Sequence, residues 1–190
     1  MTTGGIHLLL GINPDIAVFA KGIANGYPMS AVIGRREVME AAQSTFISST
    51  NWTERTGIAA ALTTLQKHQR DNVGDHIQAI GNLIKTGWQN SAERVGLPFR
   101  IGGLSGLPHF RFEHHESPEL TTLFAQIMLE KGFLASDQFK PSFAHQVDHV
   151  TEYLEAFLDT CMELAEALAW GDVSRRLKGP TIRRGFYRLT

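Results

Sequence analysis

Lys21 stands directly after a continuous apolar run, Ile16-Ala17-Val18-Phe19-Ala20, and before a turn-forming stretch, Gly22-Ile23-Ala24-Asn25-Gly26-Tyr27-Pro28. Burying an ammonium group is unfavourable, so a lysine that closes an apolar run is expected to have a lowered pKa. Amine chemistry needs that condition, because only the neutral amine attacks a carbonyl. The glycines and Pro28 let the backbone turn tightly beside a bulky planar ring. Taken alone, the pattern more often marks a strand-end lysine that snorkels to the surface. Other reactive side chains are weaker candidates. Glu113-His114-His115-Glu116 has the residue types of a metal site. Adjacent histidines do not share one helix face, however, and no third ligand at helical spacing follows, so a strand-end loop is expected. His145 and His149 are read as surface residues at the start of a helix. Gly102-Gly103-Leu104-Ser105-Gly106 reads as a hairpin turn, not a dinucleotide fingerprint. Gly81 to Gly87 contains a lysine but lacks the order of a phosphate loop. Cys161 lies in an apolar helical stretch and is expected to be a small core residue.

The elements that would position these residues follow from periodicity. Ile16 to Ala20 reads as a buried strand, and Met29 to Ile33 as a second short one. Arg36 to Ala42 is a short helix. Phe46 to Arg55 is Ser/Thr-rich loop, and Gly57 to His68 is an alanine-rich helix. A long amphipathic helix is predicted from Val73 to about Val95, with Ile77, Ile80, Leu83, Ile84 and Trp88 on one face. Pro98 to Gly102 and Leu107 to Phe112 alternate like a hairpin. Helices are predicted at about Pro118 to Lys131 and Val147 to Trp170, with a short third strand in Ala135 to Pro141. The second half is therefore an α+β layer domain, and the boundary is placed near Gln69 to Asp75.

The chain has 190 residues and a formal net charge of −1, which gives no reason to expect nucleic acid or an acidic surface as partner. No segment approaches the apolar length of a membrane span. The single cysteine rules out a disulfide within the chain and fits a cytoplasmic protein. The start has no basic n-region and reads like the middle of a longer protein. The tail after Asp172 is basic, with Arg175, Arg176, Lys178, Arg183, Arg184 and Arg188. It is expected to lie over acidic helix faces such as Glu152, Glu155, Asp159 and Glu163 rather than to bind phosphate.

The segment from Pro14-Asp15 through Lys21, Gly26-Tyr27-Pro28 and Ala31-Val32-Ile33-Gly34-Arg35 resembles the cofactor-lysine signature of the class-III aminotransferases. Phe46-Ile47-Ser48-Ser49-Thr50-Asn51-Trp52-Thr53-Glu54-Arg55 resembles the family segment that carries a phosphate-binding threonine across a dimer interface. Alignment by the following helix puts that threonine at Thr50, with Thr53 the competitor as a helix cap. The family often has Gly-Asn-Pro where this chain reads Thr53-Glu54-Arg55. Asn51-Trp52-Thr53 is also a glycosylation sequon, read as coincidental here. Gly132-Phe133-Leu134-Ala135-Ser136 and Phe143-Ala144-His145 resemble the family's small-domain strand and Ser-x-x-His segment. The likeness leans towards the glutamate-1-semialdehyde aminomutase branch, but Gln138-Phe139-Lys140 replaces the Gln-Phe-Glu of the aminomutases, which favours plain amino transfer.

This resemblance implies an α/β fold, namely the C-terminal part of a fold-type-I transferase dependent on pyridoxal phosphate (PLP). Residues 1–72 would end the large domain and residues 73–190 would form the small α+β domain. Lys21 would hold pyridoxal 5'-phosphate as a Schiff base and move the proton during transfer, and Thr50 would bind its phosphate. The partners implied are a small-molecule amino donor, a carbonyl acceptor and a second subunit. The family's phosphate loop, ring-stacking aromatic and ring-nitrogen aspartate would all precede Met1. The chain is therefore expected to be a fragment, one product of a split gene or a remnant. By itself it would be inactive, with an upstream polypeptide as a candidate partner.

Overall fold

The computed structural model describes residues 3–51, 54–183 and 185. The chain divides into two compact units, Met1–His76 and Ile77–Thr190.

The first unit holds a short helix α1 (Ile6–Leu9), strands β1 (Ile16–Phe19) and β2 (Ala31–Gly34), a short helix α2 (Arg36–Met39) and the longer α3 (Thr56–Arg70). The predicted helix over 36–42 is split, since Glu40–Ser44 tightens into a 3₁₀ turn. β1 and β2 pair antiparallel with Val18 opposite Val32. The apolar run predicts a buried strand; the strand forms, but the burial does not. Val18 is 68% exposed and Ile33 56% exposed. The cause is structural: β2 is the only strand paired with β1 among the described residues, so a two-stranded ribbon is left with apolar surface uncovered. Packing is closer at the 3₁₀ turn Lys21–Ala24, which lies against α3. Ala24, Gly57 and Ala61 are buried there. Gly57 has no side chain, so α3 can approach Pro28 and Met29 closely.

The second unit contains most of α4 (Val73–Val95), the hairpin β3 (Phe99–Gly102) and β4 (His109–Phe112), α5 (Ser117–Glu130) and α6 (Val147–Trp170). Phe99 pairs with Phe112 and Ile101 with Phe110. One face of β4 is buried through Phe110 and Phe112, while His109 and Arg111 stay exposed. Phe110 sits at the centre of the core, in contact with the rings of Trp88, Phe99, Phe112, Phe124 and Phe157 at centroid distances of 4.6–5.7 Å. The Phe99 ring stacks on it and the other four meet it edge-to-face, contacts that add to simple burial. Trp88 Nε1 donates to the Tyr153 hydroxyl at 3.1 Å, which satisfies both polar tips inside the apolar layer. Cys161 is fully buried in α6, and burial pushes its thiol up to about 12. The predicted third strand is reduced to a single bridge between His109 and Gln138, flanked by hydrogen bonds from Phe110 N to Asp137 O and from Phe139 N to Pro108 O.

The basic tail lies over acidic helix residues as expected, but among the described residues the ion pairs are to others than those named: Arg176 pairs with Asp172 and Glu166, and Lys178 with Glu130. The 3₁₀ turn Val173–Arg176, whose Val173 is buried, directs the chain back along α5 instead. Arg184 and Arg188 lie outside the described residues.

The hairpin turn is fixed to α4 by hydrogen bonds from Lys85 Nζ to Gly103 O and from Ser105 Oγ to Asn82 Oδ1. Gly81 allows this approach, because a Cβ there would collide with the Ser105 carbonyl. Helix propensity alone predicts that Gly81→Ala stabilises by about 1 kcal/mol. The collision reverses the sign, and urea unfolding should show a loss of about 1–3 kcal/mol. A stabilised variant would mean that the hairpin does not lie this close to α4.

Candidate functional site

The site is built around the ends of β1 and β2. Ala20 is extended, and Lys21 then takes φ +57 and opens the 3₁₀ turn. A left-handed conformation is uncommon for a residue with a Cβ and marks a position held by its surroundings. The turn closes at Asn25, also left-handed at φ +45, and Gly26 leads the chain towards β2. Arg35 N donates to Asp15 O at 3.0 Å, and the Arg35 guanidinium pairs with the Asp15 carboxylate at 3.1 Å. The two ends of the lysine-bearing segment are thereby joined. The ion pair is exposed and adds little stability, but the backbone bond extends the ribbon by one rung.

Lys21 is exposed and has no salt bridge among the described residues. The burial that its sequence predicts is not supplied by the first unit, because the apolar run before it is itself uncovered. Its amine is open to a ligand, and an accessible primary amine is what covalent attachment of an aldehyde requires. The strained φ is a signal that sequence reasoning missed, and no residue type at this position announces it.

Thr50 is exposed in a turn whose Asn51 N donates to Ser49 Oγ at 3.4 Å. Thr53 lies outside the described residues. The start of α3 is capped from within the chain. Its N-cap residue is Arg55, and the Glu54 carboxylate accepts from Thr56 N at 2.8 Å and Gly57 N at 3.2 Å. Those amides already hold a carboxylate, so they are not free for a phosphate. The hydrogen bonds from Thr56, and then Gly57, hold the Glu54 carboxyl below its ordinary value. A groove of about 730 Å³ lies alongside, with Pro28, Met29 and Ser30 on one side and Ser49, Asn51 and Glu54 on the other. It brings the loop around Thr50 to the turn that follows Lys21. The first unit thus offers an exposed primary amine and hydroxyl groups, residue types that fit an aldehyde cofactor bearing an anionic group.

The two histidine clusters carry their own local bonding. His114, His115 and Glu116 bring three ligand atoms within 4.8 Å of one another at the end of β4. Glu116 N donates to His114 Nδ1, however, which engages one of the nitrogens a cation would need. His145 Nδ1 accepts from Ser142 N at 3.0 Å, and His149 Nδ1 accepts from Gln146 N at 3.1 Å. His149 and Gln146 form a capping box that starts α6.

The architecture is that of fold-type-I PLP-dependent transaminases. The chain superposes on the FumI protein of Sphingopyxis sp. MTA144 in its PLP internal aldimine form with a TM-score of 0.78 and 29% identity, over 86% of this chain and 40% of that one. An omega-transaminase from Sphaerobacter thermophilus shares the fold at a TM-score of 0.77 and 20% identity, over 86% of this chain and 41% of that one. Residues 3–160 match the family described as Aminotransferase class-III, and the chain belongs to that family. The aminopentol aminotransferase of Sphingopyxis macrogoltabida is 31% identical over 77% of this chain and 35% of its own length. The 2'-deamino-2'-hydroxyneamine transaminase of Streptomyces kanamyceticus is 31% identical over 81% of this chain and 39% of its own. The chain spans well under half the length of these relatives. Among the described residues no helix is long and apolar enough to cross a membrane.

The Glu54 cap has a pH signature. Its folded pKa is lowered, so the stability it gives is present above the ordinary glutamate value of about 4.3 and is lost as pH falls through the lowered value. Glu54→Gln should lower the melting temperature of the first unit at pH 7, and the gap from the parent should close under more acidic conditions. A gap independent of pH would show that the carboxylate is not the cap.

Proposed function

We propose that this chain forms the cofactor-lysine end of the large domain (residues 1–72) and the small domain (residues 73–190) of a PLP-dependent aminotransferase. In this reading Lys21 is the covalent anchor. The observation that carries it is the position of Lys21: the lysine of the class-III signature stands exposed on a left-handed turn in a chain of that family. The cofactor is pyridoxal 5'-phosphate, which supplies the electron sink for charge developing at the substrate α-carbon. Lys21 Nζ holds the cofactor. As the free amine, Lys21 Nζ would be the base that takes a proton from the substrate α-carbon and the acid that gives it back during transfer. The Thr50 hydroxyl donates to the cofactor phosphate, from one subunit to its partner in a homodimer. The other substrates are a small-molecule amino donor and a carbonyl acceptor, and the location is cytoplasmic. The lysine in Gln138-Phe139-Lys140 favours amino transfer over an aminomutase reaction, and the glutamate-1-semialdehyde 2,1-aminomutase 2 of Lysinibacillus sphaericus is 26% identical. The groups that complete the cofactor site would come from sequence outside these residues, in the same polypeptide or in an upstream one.

Borohydride reduction of the PLP-treated protein, followed by peptide mapping, should place the label on Lys21; a label on another lysine ends this assignment. Thr50→Ala removes a hydrogen bond to a charged group and should weaken PLP binding by about 1.5–3 kcal/mol. An unchanged affinity there, with a loss in Thr53→Ala, would move the phosphate contact to Thr53. Residues 1–190 by themselves should show no turnover of amino donors. Turnover by this chain alone would show that it holds the whole catalytic machinery.

A further inference from the structure

Of the six asparagines in the chain, only Asn25 is followed by a glycine. Both residues are exposed and follow the 3₁₀ turn Lys21–Ala24. Asn25 N donates to Gly22 O at 3.2 Å and Tyr27 N to Ala24 O at 3.3 Å, so the hydrogen bonds of the turn pass on either side of Gly26. Among the described residues neither Gly26 N nor the Asn25 side chain has a hydrogen-bond partner. Gly26 takes φ +112, and nothing lies within 4 Å of where a Cβ would stand. A free backbone nitrogen, unhindered by a side chain, thus adjoins an unanchored carboxamide.

The other asparagines lack this combination. Asn13 precedes Pro14, whose nitrogen carries no hydrogen. Asn51 precedes the bulky Trp52. Asn82 and Asn90 lie inside α4, where helix bonding holds the following amides. Asn72 is left-handed like Asn25, at φ +48. Its neighbour is the branched, buried Val73, however, and Asn72 O accepts from Asp75 N and His76 N.

We propose that Asn25-Gly26 is a self-modification site, at which the lysine-bearing turn deamidates and is remodelled. Gly26 N loses its proton to hydroxide and attacks Asn25 Cγ. An N–Cγ bond forms, the Cγ–Nδ2 bond breaks, and ammonia leaves with a hydrogen from water, which restores the hydroxide. Water then opens the cyclic imide at either carbonyl, giving aspartate or isoaspartate at position 25. Isoaspartate routes the main chain through Cβ and adds a backbone atom between Asn25 N and Tyr27 N, the two donors that fasten the turn. That turn begins with the left-handed Lys21 and lies against α3, so the change alters how the lysine is presented. The reaction needs this chain and water only, so its failure and the failure of the aminotransferase reading are separate results.

The full chain is incubated at neutral and at mildly alkaline pH, then digested and mapped by tandem mass spectrometry, with isoaspartyl methyltransferase labelling to count isoaspartate. Acid should accumulate first at position 25, at a rate proportional to hydroxide and at least about tenfold above the rate at Asn72. Gly26→Ala should slow the reaction by crowding the attack. An alanine there is strained by the positive φ, so the comparison of Asn25 with Asn72 in the parent chain decides the case if that variant does not fold. Asn25→Asp adds the charge without the extra backbone atom, and its amide shifts at Lys21 and Gly22 should stay near the parent's. Those of the isoaspartyl fraction should move. Equal rates at Asn25 and Asn72, a rate independent of pH, or unmoved Lys21 and Gly22 shifts in the isoaspartyl fraction would each overturn the proposal. So would a folded-chain rate more than about tenfold below that of the urea-unfolded chain, since the turn would then have to open first.

Discussion

Phe110 is almost wholly buried and touches five other rings, and the second unit is arranged around it. Its position demands that β4 present alternate residues to the core, that α4 and α6 bring Trp88 and Phe157 to it, and that α5 bring Phe124. Apolar surface has to be covered, and these helices cover one face of a hairpin too small to be stable alone. Segment 133–145 is then held at the edge of that layer by its bridge to β4 and by Phe139 against Tyr153. The same tyrosine closes the core with Trp88.

The first unit meets the same demand incompletely. β1 and β2 satisfy each other's inner backbone groups, and α3 covers the turn between them, but the ribbon's apolar side chains remain open. A strand as apolar as Ile16–Phe19 belongs in a sheet with neighbours on both edges and layers on both faces. Lys21 sits at the end of that strand and shares its exposure.

The Glu54 cap shows local physics at the start of α3. A helix start with free amides suits a phosphate. Here the residue two before the helix is a glutamate, and its carboxylate takes the amides of Thr56 and Gly57.

The elements themselves are legible in the chain of residues. The bounds of α4 and α6 follow from their periodicity, the hairpin follows from alternation about the glycine-rich turn, and the class-III signature singles out Lys21. These are properties of contiguous residues, and local pattern encodes them. What each element meets is settled by the folded arrangement. The strand 16–19 reads as buried because its residues are apolar, but burial belongs to the neighbours and not to the strand. The third strand of the second unit shrinks to one bridge because pairing depends on a partner's register. The tail's Lys178 turns to Glu130, 48 residues away, a pair that no sequence spacing reveals. The left-handed Lys21 is invisible in sequence for a related reason: a lysine gives no sign of φ, which is set by the strand it ends and the helix its turn packs against.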